Sequence, residues 1–69
     1  MSNISGIAKD TIANEYGIMY EMQGNLQTAI DYYQKAAIIT LDNAKLDKYR
    51  DGIERCKKKQ GILNPSNSF

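Results

Sequence analysis

The 69-residue chain has no histidine, no tryptophan, one cysteine and one proline. Each shortage removes a class of function. Without histidine, the commonest metal ligand and the usual general base are gone. With Cys56 as the sole thiol, neither an intramolecular disulfide nor a cysteine-rich zinc site can be built. No stretch approaches the ~20 apolar residues that a membrane-spanning helix needs. The opening "MSNISGIAKD" lacks a basic segment followed by an apolar run, so the expectation is a cytoplasmic protein, a setting that suits a lone reduced thiol. There is no glycine-rich phosphate loop and no serine in a nucleophile elbow, and the acids are scattered. The chain is expected to be no enzyme and to hold no cofactor and no metal.

Size sets the next bound. A domain of this length buries only about 60% of the surface its unfolded chain exposes, so added burial from a protein partner or a second copy is expected to matter. Charge is uneven along the chain. Residues 1–42 carry two lysines against five acids, net −3, while residues 43–69 carry seven cations against three acids, net +4. The two parts attract each other, which favours packing the last segment on the first.

What remains is helix-forming sequence. A first helix is expected from about Ser5, as N-cap, to Gln23. Ile12, Tyr16, Met19 and Gln23 share one face, and Ala13, Gly17 and Tyr20 the adjoining one. Gly17 in mid-helix costs about 1 kcal/mol against alanine, which implies close approach of another helix. Gly24-Asn25 breaks the run, since glycine takes the left-handed conformation that ends helices, and so short a link forces an antiparallel hairpin. A second helix is expected over Leu26–Thr40. Its two apolar stripes, one with Leu26, Ala29, Ile30, Tyr33 and Ala37 and one with Tyr32, Ala36 and Ile39, make it the middle of three. A third is expected from about Ala44, capped by Asp42 or Asn43, to Gln60, ended by Gly61. Its seam is Leu46, Tyr49, Ile53, Cys56 and Gln60, and Asp51–Arg55 and Glu54–Lys58 are spaced as ion pairs on its surface. The predicted fold is all-α: an antiparallel helical hairpin plus a third amphipathic helix, in one domain over 1–62, with 63–69 as a flexible tail.

Ala13, Tyr16, Gly17, Tyr20, Gly24, Leu26, Ala29, Tyr33 and Ala36 fall at the spacings of the tetratricopeptide repeat, which the segment from about 10 to 41 resembles. The departures are Ala13 for the large aromatic, Tyr16 for leucine, Leu26 for tyrosine, and Leu41 where proline often ends the repeat. A shift of one 34-residue repeat puts Asp51 at the key glycine and Lys58 at the second, so only one repeat is visible. Residues 43–60 resemble the amphipathic helix that caps such arrays. "GNLQTAIDYYQKA" and "GIERCKKKQGIL" also resemble the MIT domain, a three-helix bundle of endosomal-sorting and microtubule-severing proteins. The stretch between the two segments is shorter here than in that domain.

Both resemblances imply protein or peptide binding. On the tetratricopeptide reading, the contact surface is expected on the first helix at Asn14, Ile18, Glu21 and Met22, with Tyr32 and Ile39 of the second helix as further candidates. Of Thr11, Asn14, Ile18, Glu21 and Met22 only Asn14 is polar in a helpful way, and the lysines and asparagines of a carboxylate clamp are missing from their usual places, so capture of a C-terminal carboxylate is not expected. Self-association is an alternative, because one repeat alone exposes faces that stacking normally covers. The patch of Arg55, Lys57, Lys58 and Lys59 offers another, binding to nucleic acid or an anionic membrane. The plainer account is that these cations complement the negative end of the helix dipole, and with no aromatic among them nucleic acid is disfavoured. Cys56 between Arg55 and Lys57 admits two readings, an activated thiol or a small core residue, and its seam position favours the second.

Overall fold

The computed structural model describes residues 8–63. Three helices form there: α1 (Lys9–Met22), α2 (Leu26–Ile39) and α3 (Asn43–Leu63). Both α1 and α3 pack on α2, which is the central element, as its two apolar stripes require.

The turns follow from local chemistry. Gly24 has φ +83°, and it ends α1 in a Schellman motif. The amide of Asn25 donates to the carbonyl of Tyr20 at 2.9 Å, and the amide of Gly24 to that of Glu21 at 3.0 Å. At the second turn the Asp42 carboxylate accepts the amide of Ala44 at 2.9 Å and so caps α3. Two expected boundaries move by more than one residue. Helix α1 begins at Lys9, with Ala8 in extended backbone before it, and the expected Ser5 cap lies outside the described residues. Helix α3 runs through Gly61 to Leu63, past the expected stop and one residue into the expected tail, whose residues 64–69 also lie outside the described ones. A glycine stops a helix by turning left-handed, and among the described glycines only Gly24 does so.

The core is assembled around one ring. Tyr33 of α2, 2% exposed, lies between Gly17 of α1 and Gly52 of α3. A β-carbon on Gly17 would stand 2.9 Å from two atoms of the ring, and one on Gly52 3.1 Å from two others. The mid-helix glycine is thus explained, although the close neighbour is an aromatic side chain rather than a second backbone. Gly52 plays the same part 35 positions later, one beyond the 34-residue shift that lands on Asp51. Ala29, Ile30, Leu26 and Cys56 surround the ring on one side, while Ala13, Ala36 and Tyr49 form a second buried group.

Candidate protein-contact surface

Helix α1 has two faces of opposite character. The inner face buries Asp10, Ala13, Asn14 and Gly17. Near its C-terminal end Glu21 lies under α3, its side chain only 9% exposed. The Glu21 carboxylate accepts from Arg55 Nε at 2.6 Å, from Lys59 Nζ at 2.7 Å and from the Tyr33 hydroxyl at 2.7 Å. The Arg55 guanidinium, then Lys59 and the phenol, hold the Glu21 carboxyl far below the usual carboxylate range against the opposing cost of burial. Burial, followed by the Glu21 hydrogen bond, pushes Tyr33 up to about 12. At the other end the Tyr49 hydroxyl donates to Asp10 at 2.9 Å, with Lys45 at 3.7 Å from the same oxygen. This bond lowers the pKa of Asp10, and Tyr49 is raised to about 12 by burial and by Asp10. Two polar clasps therefore tie α1 to α3 on either side of the Tyr33 ring. All three ion pairs among the described residues join an acid of the first part to a cation of the second, as the uneven charge implied.

This arrangement sorts the sequence candidates. Asn14 is buried and Glu21 is consumed by the clasp, so neither stands on open surface. Ile18 and Met22 do, Met22 at 83% exposure. Tyr32 is half-buried in a ring stack, and Ile39 is exposed at the end of α2. The four-residue basic patch divides: Arg55 and Lys59 turn inward to Glu21, while Lys57 and Lys58 remain exposed on α3. The expected surface pair Asp51–Arg55 is replaced by Glu21–Arg55, because a carboxylate in a less hydrated place attracts the guanidinium more strongly. Cys56 is fully buried, and burial, with Glu21 nearby, pushes its thiol up. The flanking cations thus do not activate it, and the core reading applies.

The outer face of α1 is apolar and uncovered. Ile12, Tyr16 and Met19 are 45%, 46% and 42% exposed, although their spacing alone would place them in a core. With Thr11 and Glu15 they line a shallow depression of about 570 Å³. Beside it the rings of Tyr16 and Tyr20 stack on Tyr32 of α2, at centroid distances of 5.2 and 5.5 Å. Lys35 Nζ sits 4.8 Å from the centre of the Tyr32 ring. The periodicity of Ile12, Tyr16 and Met19 was legible, but nothing local said that this row would stay outside.

By its fold the chain is an all-α protein of three packed helices. In comparison with known proteins it matches no family model, no curated protein and no solved structure. No helix among the described residues is long and apolar enough to cross a membrane. No group of three or more acidic, cysteine or histidine side chains among them is placed to hold a metal ion.

Proposed function

We propose that the chain is a non-catalytic, cytoplasmic protein-binding module of tetratricopeptide type, with α1 and α2 as the repeat and α3 as its capping helix. Its peptide-contact surface is the α1 face carrying Ile18 and Met22. The observation that carries this reading is the exposure of these two apolar side chains, one helical turn apart, on a helix fixed from behind by the Tyr33 contact and the Glu21 clasp. A rigid scaffold presenting apolar anchors loses little freedom when a partner docks. The Schellman turn at Gly24 and the glycine–tyrosine contact also fit the packing that the repeat's small residues serve.

The test begins with selection of peptides from a displayed random library against the whole chain, followed by mapping of the binders through amide chemical shifts. Shift changes are expected to centre on Ile18 and Met22, and Ile18→Asp or Met22→Asp should weaken binding about tenfold or more, the scale of a buried apolar anchor. Binders that map to Lys57 and Lys58 and are lost steeply with salt would replace this reading with binding by the basic patch.

A further inference from the structure

On the outer face of α1 a second apolar row adjoins Ile18 and Met22, and its occupant is a separate question. Ile12, Tyr16 and Met19 recur at i, i+4 and i+7, the spacing of a seam that accepts another helix. We infer that this row is a homodimer interface, closed by a second copy of the chain around a two-fold axis parallel to α1, with Glu15 of each copy facing Lys35 of the other.

The first argument is one of elimination by surface chemistry. On the far side of the hairpin α3 is already in place, and its outer surface presents Asp47, Arg50, Asp51, Glu54 and Lys58, all exposed. An apolar row finds no match there, so copies cannot stack head to tail through these two faces. A face that pairs with the same face of a second copy makes an isologous, closed contact.

The second argument is charge. Tyr20 stacks on Tyr32 and so marks the α2 flank of the row. At 100° per residue Glu15 lies about 140° round the helix from Tyr20, on the opposite flank. Lys35 stands over Tyr32 on the α2 flank. It follows Tyr32 by one turn in a helix antiparallel to α1, and is therefore level with the stretch from Ile12 to Tyr16 that contains Glu15. One flank is thus acidic and the other basic at the same height. A two-fold axis along α1 brings opposite flanks together, which sets each Glu15 against the Lys35 of its partner. An antiparallel pairing would bring like flanks together and forfeit both ion pairs. A chain of this size also has much to gain from covering such a row.

Sedimentation equilibrium of the whole chain across a range of concentrations provides the test. The wild-type chain is expected to show a reversible dimer, and Tyr16→Lys, at an exposed position, to abolish it while the helical circular dichroism persists. Glu15→Lys and Lys35→Glu should each raise the dimer Kd about tenfold, since each breaks two ion pairs and creates two repulsions. The double variant Glu15→Lys with Lys35→Glu should return to within about threefold of wild type. A chain that stays monomeric at all concentrations overturns the inference and leaves the row to another occupant. So does a dimer indifferent to Tyr16→Lys, or a charge swap without rescue. The measurement is made on the chain alone, so its result does not depend on whether Ile18 and Met22 take a peptide.

Discussion

The two faces of α1 invert the usual rule of burial. The inner face is polar and small, with Asp10, Asn14 and Gly17, and it is covered. The outer face is apolar, with Ile12, Tyr16 and Met19, and it stands in solvent. The difference lies in what each face lets approach. Gly17 leaves room for the Tyr33 ring, and the large buried area of an aromatic side chain outweighs what the α1 residues themselves contribute. The polar residues beside it are tolerated because each is satisfied: among the described residues no buried side-chain nitrogen or oxygen lacks a hydrogen-bond partner. Burial here follows shape complementarity, and side-chain hydropathy comes second.

Four changes on or against the inner face break that comparison, in descending order of effect. Tyr33→Ala removes the ring that both glycines were shaped around and should destabilise the fold by about 3–5 kcal/mol, which leaves a chain of this size largely unfolded in thermal or urea denaturation. The converse change, Gly17→Ala, adds a β-carbon where 2.9 Å is available against a ring held from behind by Gly52. Overpacking of about 1–3 kcal/mol should exceed the ~1 kcal/mol gained in helix propensity, so the variant melts lower than wild type. A higher melting temperature would show that the ring moves aside freely.

Glu21→Gln comes next. It removes the charge that Arg55 and Lys59 share, but those two cations are 51% and 45% exposed and are partly screened by water. The expected loss is about 1–2 kcal/mol at pH 7. The sign with pH follows from the depressed carboxyl. Its contribution is complete above the ordinary carboxylate pKa of 4.5 and is lost as pH falls below that value toward the folded pKa. Urea unfolding as a function of pH should therefore show a wild-type acid limb below about pH 4.5 that shrinks in Glu21→Gln.

Tyr49→Phe is the smallest of the four, since the ring and its packing stay and one hydroxyl is lost. Its signature is at high pH. A phenol raised from 10.0 to about 12 stabilises the fold fully below pH 10, and that contribution fades as pH climbs through 12. The variant should thus lose less stability than wild type between pH 10 and 12 when melting is followed by circular dichroism, with Tyr33 supplying what alkaline sensitivity remains.

Much of the architecture was legible because it is locally encoded. Gly24 needs no tertiary partner to end a helix, Asp42 caps α3 with its own side chain, and the stripes of α2 announce two neighbours. The contact face was less legible. Glu21 read as a surface candidate because its partners, Arg55 and Lys59, are more than thirty residues away in sequence. Gly52 was hidden by a one-residue departure from the repeat period, and Ile12, Tyr16 and Met19 carry the periodicity of a core without being one.

The sequence by itself determined an all-α chain with a glycine-hinged hairpin, a third amphipathic helix and charge that draws the two parts together. These follow from backbone propensity, capping and apolar period, which act over a few residues. Only the tertiary structure decided which side of α1 faces inward, which carboxylate is withdrawn from the surface, and which apolar row is left open. Those outcomes depend on where a single tyrosine ring finds two glycines, and that close fit exists only once three helices are brought together.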